Sequence, residues 1–322
     1  MTYSKSWQGR FVSGRATAPV LLGVSLLMWL VGIFLDAPVN DLSLFGFNIG
    51  NVVSRCITFA CFALAGVMMS SLYIFDRRIR WFFSLFFYLA GVSLFMHGCV
   101  GYSLSLIPFL LIVLRVFACK QEEDCRYALF SAFAVFGLAT MLFPQFIMLL
   151  PLFVFYISMT SLAGRRDIFS ILLGLLTPYW FLFGIDYIFP HLIEQSGLFT
   201  APFKYLISPT LSLPSLLDVF LLVVDLSVLI PFVFIFSGSS YPGKPLLRKR
   251  LKFFAWQNLY FVALAFLYAN DYNLYYIWAL PSLAVMLAYI FSLKVTRFSR
   301  FYFVIINILL LVIIPLSLWL SR

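Results

Sequence analysis

Long apolar runs alternate along this chain with short polar breaks. The runs cover about residues 17–35, 49–75, 81–96, 100–117, 127–143, 146–163, 168–189, 213–236, 253–269, 274–292 and 301–320. A membrane-spanning helix needs ~20 predominantly apolar residues. Backbone in lipid must satisfy its hydrogen bonds within its own segment, so each run is predicted to be helical. The expected fold is an all-α polytopic transmembrane helix bundle of about eleven spans. No break is long enough to fold separately, so residues 1–322 read as a single integral membrane domain.

The breaks carry the second signal. All Lys and Arg except Arg55, Lys204 and Arg322 fall at the N-terminus, in every second break or at the span ends beside them, out of 22 in total. Basic residues concentrate in cytoplasmic loops, so the N-terminus is expected inside and the C-terminus outside. The far-side breaks are different. Asp36–Asn48 holds two Asp and no Lys or Arg, His97-Gly98 is a tight turn, Pro144-Gln145 is expected to make a hairpin, and His191–Ser212 is the longest of them. Lys5, Arg10 and Arg15 precede the first run as in a signal sequence. That run is longer than a signal h-region and no cleavage site follows it, so it is read as an uncleaved span. The implied location is the bacterial inner (cytoplasmic) membrane, multi-pass.

Composition agrees with the pattern. The chain is 63% hydrophobic and 11% charged, with a mean hydropathy of +1.03. A soluble protein cannot hide that much apolar surface. The net charge of +10 is explained by loops facing anionic headgroups. The expected partner is therefore the lipid bilayer and not nucleic acid. Aromatics near predicted span ends, such as Trp81, Trp180, Tyr275, Tyr276 and Trp319, read as interfacial anchors. Cys56, Cys61, Cys99, Cys119 and Cys125 lack metal spacing and read as unpaired thiols, the last two in a cytoplasmic loop where thiols stay reduced.

Charges inside spans are costly and are the default functional candidates. There are four: Arg55, Asp186, Asp218 and Asp225. Asp218 and Asp225 lie close to two turns apart on one helix, hence on one face. Asp225 falls roughly 18 Å below the start of span eight, near the midplane, with Asp218 about 10 Å shallower. A midplane carboxylate costs ~2.5–3.5 kcal/mol on insertion scales, so it must be protonated, paired or in a wet cavity. Asp36, Asp41, Glu194 and Asp271 lie on the outer side with Asp186, His97 and His191, while the cytoplasmic side offers one acidic patch, Glu122-Glu123-Asp124. A ligand or ion pathway through Asp218, Asp225, Arg55 and Asp186 would open outward as an acidic cavity. The structural alternative is that Arg55 and Asp218 form an ion pair between spans. Arg55 is expected within reach of Asp36, Asp41, Asp186 or Asp218. Pro108, Pro151, Pro178, Pro231, Pro281 and Pro315 lie inside predicted spans; they kink helices and free carbonyls. His97 and His191 read as surface or turn residues. No phosphate loop, nucleotide fingerprint, zinc-protease motif or nucleophile elbow occurs, so no cofactor or metal is implied.

Two stretches carry a family likeness. One is Leu142-Phe143-Pro144-Gln145-Phe146-Ile147-Met148-Leu149-Leu150-Pro151, then Gly164-Arg165-Arg166-Asp167 and Leu172-Leu173-Gly174-Leu175-Leu176-Thr177-Pro178-Tyr179. The other is Ala279-Leu280-Pro281-Ser282-Leu283 followed by Tyr289-Ile290-Phe291. Their order resembles a family of polytopic inner-membrane proteins of diderm bacteria, a domain of unknown function, over about the second half of the chain. The resemblance implies a cell-envelope setting and names no catalytic residue. The leading expectation is a non-enzymatic component, transporter-like or the membrane part of an assembly with a membrane-protein partner. The alternative is a membrane glycosyltransferase using a polyprenyl-phosphate sugar, a lipid-linked substrate. Those enzymes place a carboxylate in a long first outer loop, which Asp36 and Asp41 in this shorter loop resemble as catalytic candidates.

Overall fold

The computed structural model describes residues 11, 14, 16–35, 43–44, 47–72, 82–119, 125–160, 165–188, 200–207, 215–238, 245–292 and 297–320. The fold is all-α. The described helices are α1 (Thr17–Leu35), α2 (Ile49–Ser70), α3 (Phe82–Val92), α4 (Val100–Ala118), α5 (Arg126–Leu142), α6 (Leu150–Thr160), α7 (Arg165–Ile188), α8 (Ala201–Ile207), α9 (Leu216–Gly238), α10 (Pro245–Leu267), α11 (Tyr272–Ser292) and α12 (Arg297–Leu320). Short 3-10 helices sit at Leu94–Met96, Pro144–Leu149 and Ala269–Asp271. Two-residue strands β1 (Ser43–Leu44) and β2 (Phe47–Asn48) pair antiparallel just before α2.

Most apolar runs coincide with helices, and the departures have local causes. Phe143 is extended and breaks the chain after α5, and Pro144 opens a 3-10 helix where only a two-residue hairpin turn is expected. Proline tolerates the first position of a helix because it has no N–H to satisfy. The α-helical part of the sixth run therefore starts only at Leu150. Pro151 falls in its first turn, not well inside a span, and needs no kink. By contrast Pro108, Pro178, Pro231, Pro281 and Pro315 do lie within helices. Helix α8 occupies part of the long 191–212 break and was not anticipated. Helix α10 begins at Pro245, inside the basic break, and carries Arg248, Lys249, Arg250 and Lys252 as its first turns.

The chain divides into two compact units, residues 1–104 with 212–322, and residues 105–211. In the first, α11 is buried along its whole length and packs against α10, α3 and α9. Side chains lock the neighbours together. The Ser25 hydroxyl on α1 donates to the Phe87 carbonyl on α3 at 2.7 Å, Tyr302 on α12 donates to the Ser227 carbonyl on α9 at 3.0 Å, and Arg250 on α10 donates to the Leu72 carbonyl beyond α2 at 3.1 Å. In the second unit, Phe109, Phe133, Phe136, Phe146 and Phe153 are fully buried and form edge-to-face or tilted pairs near 6 Å, geometry that the ring quadrupole favours. Arg126 and Asp167 join the starts of α5 and α7 at 3.8 Å, an exposed pair of small energetic weight.

One cysteine expectation is overturned. Cys119 and Cys125 form a disulfide across the end of α4 and the start of α5, with Cα atoms 5.1 Å apart. So short a separation in sequence makes loop closure cheap. Cys56, Cys61 and Cys99 are free thiols.

Candidate functional site

The site begins at the start of α9. The Ser215 backbone N–H donates to the Asp218 carboxylate at 2.8 Å, and the Asp218 N–H donates to the Ser215 hydroxyl at 3.2 Å. This reciprocal pair is a capping box, which satisfies two of the N–H groups a helix start leaves over. Asp218 is half-buried and spends a carboxylate oxygen on that cap. Along α9, Leu221, Val224, Asp225, Val228 and Phe232 are buried, a stripe at helical spacing that faces the first unit's interior. Asp225 lies in this stripe with 5% of its surface exposed.

Around Asp225 the neighbouring helices present polar groups. Asn258 on α10 is its hydrogen-bonding neighbour. The Asn258 amide also donates to the Ser282 hydroxyl on α11 at 3.4 Å, and Ser282 donates to the Ala279 carbonyl at 2.7 Å. Asn258 thus connects the carboxyl of α9 to the central helix. Tyr272 and Tyr276 of α11 lie within electrostatic range of Asp225, and Tyr276 is hydrogen-bonded to Ser93 beyond α3. Ser93 in turn donates to the Leu89 carbonyl at 3.0 Å. Asp225, Tyr272, Tyr275, Tyr276, Phe261 and Ala279 line a small cavity with about 10 Å³ of water-sized space, close to the lower bound for one water molecule. Two oxygens remain without a hydrogen-bond partner at good distance and angle, Asp225 Oδ1 and Asn258 Oδ1, both buried. Such a group costs about 1–3 kcal/mol when left unsatisfied.

Gln257 stands beside Asn258 and is fully buried. It donates to the Trp278 carbonyl at 3.0 Å. Pro281 removes the N–H that would bond the Ile277 carbonyl, and loosens this turn of α11. Gln257 therefore braces the helix where proline weakens it. Tyr275 and Tyr276 are 1% and 2% exposed. They are core groups, which corrects their reading as interfacial anchors; the central position of α11 removes its ends from lipid.

A second polar cluster joins α1, α2 and the turn before α4. His97 lies in the expected turn but is fully buried, which corrects its reading as a surface residue. Its ring stacks on Trp29 with centroids 3.6 Å apart, and Nε2 lies 3.3 Å from the Ala90 carbonyl. Arg55 is 3% exposed. A Cβ on Gly32 would lie 2.5 Å from Arg55 Nη1 and 2.9 Å from His97 Nδ1, so the absence of a side chain at Gly32 makes the space for both. Of the carboxylates expected beside Arg55, Asp36 and Asp41 lie outside the described residues, Asp218 caps α9, and Asp186 is half-exposed on α7. His191 and Glu194 also lie outside the described residues. No group of His, Cys, Asp or Glu among the described residues could hold a metal ion.

The groups that join Asp225 were not singled out in the sequence. Asn258, Ser282 and Ser93 are uncharged, and a search for intramembrane charge passes over them. One signal was available, since Gln257-Asn258 is an adjacent amide pair inside an apolar run. The capping role of Asp218 was also visible as Ser215-Leu216-Leu217-Asp218, a capping-box spacing.

Among the described residues, five helices are long and apolar enough to cross a membrane: Val52–Ser70, Val100–Ala118, Asp167–Ile188, Leu216–Phe236 and Tyr272–Ser292. By length and composition the chain is a helical membrane protein. No protein-family profile, curated protein or solved structure matches it.

Proposed function

We propose that the protein is a multi-pass inner-membrane component of the bacterial envelope, transporter-like and non-enzymatic, with Asp225 as its coupling site. The observation that carries this reading is a buried carboxyl with an unsatisfied oxygen, beside a cavity and surrounded by Asn258, Ser282, Tyr272 and Tyr276. An ionisable residue buried in a span is by default a functional-site candidate. In the proposed topology the N-terminus is cytoplasmic, eleven segments span, and the cavity opens to the outer, acidic side. The grouping with envelope proteins of diderm bacteria belongs to the same proposal and is supported by the Leu142–Pro151 and Leu172–Tyr179 stretches.

The test is complementation of a deletion strain, with membrane expression checked for each variant. Asp225→Asn abolishes function, while the double change Asp36→Asn/Asp41→Asn leaves it intact. Loss in the double variant alone would instead assign sugar-transfer chemistry to the first outer loop. Full function in both sinks the Asp225 site.

A further inference from the structure

We infer that the cavity beside Asp225 binds one monovalent cation no larger than a water molecule, with the Asp225 carboxylate as its counter-charge. The inference rests on the transport reading above and names the class of species that the site handles. Asp225 lines the cavity, is 5% exposed, and its Oδ1 has no hydrogen-bond partner. Asn258 approaches the carboxyl from α10 as a hydrogen-bond donor and takes no part in the cavity wall. No Lys or Arg among the described residues forms an ion pair with Asp225. A buried carboxylate without a positive partner is costly, and the space for such a partner is the cavity that Asp225 itself lines.

The wall supplies the other contacts. Tyr272, Tyr275, Tyr276 and Phe261 are four of the nine wall residues, and each is 5% exposed or less. Aromatic faces attract cations, and phenolic oxygens carry lone pairs. Ser93 spends its single hydrogen on the Leu89 carbonyl at 3.0 Å, so the bond between Tyr276 and Ser93 is donated by the tyrosine. The Tyr276 proton is thereby committed away from Asp225, and its oxygen keeps its lone pairs. Charge sets the valence. One carboxylate in the wall balances one positive charge, and a divalent ion would stay half-compensated among carbon and neutral oxygen. Volume sets the size, since about 10 Å³ of water-sized space admits one particle of water's dimensions. Ammonium and the alkali ions sodium and potassium share this chemistry.

The cavity also sits on the acidic approach to this unit. Its wall comes from the last two turns of α10, the first two of α11 and the middle of α9, beneath the Ala269–Asp271 turn that joins α10 to α11. Asp271 adjoins Tyr272 in that turn, and Asp218 lies within electrostatic range of Tyr272. Arg248, Lys249, Arg250 and Lys252 sit at the opposite end of α10. Carboxylates along one approach raise the local concentration of cations.

The test is thermal stability of the purified full-length protein at fixed pH, in ammonium, potassium or sodium chloride, with choline chloride at matched concentration as the control too large for the space. A ligand that binds only the folded state raises the midpoint as its concentration rises. At least one of the three small cations is expected to do so, choline is not, and the shift is lost in Asp225→Asn. Asp225→Glu keeps the charge but pushes the carboxylate into the space, so the concentration needed for the same shift should rise several-fold. That variant covers the case in which Asp225→Asn does not fold. A response to ammonium alone assigns an amine, and a response to potassium or sodium assigns an alkali ion. An equal shift with choline, a shift with calcium or magnesium alone, or the wild-type response in either variant overturns the cation site. If no cation acts and Asp225→Asn still fails complementation, the cation falls and the transport reading stands. If no cation acts and Asp225→Asn complements fully, both fall.

Discussion

Asp218 and Asp225 are the same residue type on the same helix, yet they do different work. Asp218 sits where α9 has unpaired N–H groups and gives them a partner. Asp225 sits two turns deeper, where helix N–H groups are already used, so its oxygens must find side chains or a ligand. Replacing Ser215 with Ala removes the cap and is expected to lower stability by about 1 kcal/mol, read as a modest fall in thermal midpoint with complementation unaffected. Asp225→Asn is expected to show the reverse pattern, near-normal stability with function lost. The charge of Asp225 was legible in the sequence because a carboxylate in an apolar run stands out. The burial of His97 was not, because its stacking partner Trp29 lies on a helix far away in sequence and no local rule brings them together.

At the scale of elements, α5 and α7 pack with almost no spacing. A Cβ on Gly137 would come 2.6 Å from the Leu175 carbonyl, and one on Gly174 would collide with the Phe130 carbonyl. Close approach through small residues is how helices associate where the surrounding lipid is as apolar as the helices themselves. Pro178 packs on Gly137, and the Thr140 and Tyr179 hydroxyls meet at 2.8 Å. Within Leu172–Tyr179, Gly174, Leu175, Pro178 and Tyr179 thus form the packing face, while Leu172, Leu173 and Leu176 are exposed. Gly174→Leu must separate the two backbones and is expected to cost at least about 1–3 kcal/mol, measured as a lower thermal midpoint and aggregation in detergent. Gly184, with open space around it, is the control and should accept Leu without loss. Helix positions were legible from apolar runs. Their faces were not, because these helices are apolar on nearly every side and no amphipathic stripe marks the contact. Helix α8 escaped notice for a related reason: seven residues are too few to show a period.

For the molecule as a whole, loop charge and the Cys119–Cys125 bond pull in different directions. The basic-side assignment puts that loop in the cytoplasm, where disulfides are rare. The backbone nevertheless holds the two cysteines within bonding distance. Alkaline phosphatase fused after Arg322 is expected to be active, and fused after Arg250 inactive. In the same cells, Cys119 and Cys125 should resist alkylation until a reductant is added. An active fusion at Arg250 would invert the topology. Either result would be informative, because parity propagates: an error of one span reverses every loop beyond it.

The complete burial of α11 has a consequence for how the protein is made. Of the five long apolar helices it is the least hydropathic, and it carries Tyr272, Tyr275, Tyr276 and Ser282 inward. Lipid is a poor first solvent for such a segment. During synthesis α11 therefore has to leave the translocon into a cleft already built by α3, α9 and α10, and its membrane integration is a folding event rather than a partitioning event. A chain that stops after Leu267 leaves that cleft open, and a quality-control protease should remove it. Supplying residues 268–322 as a separate polypeptide in the same cell should rescue it, with the late segment acting as the keystone that the early helices wait for.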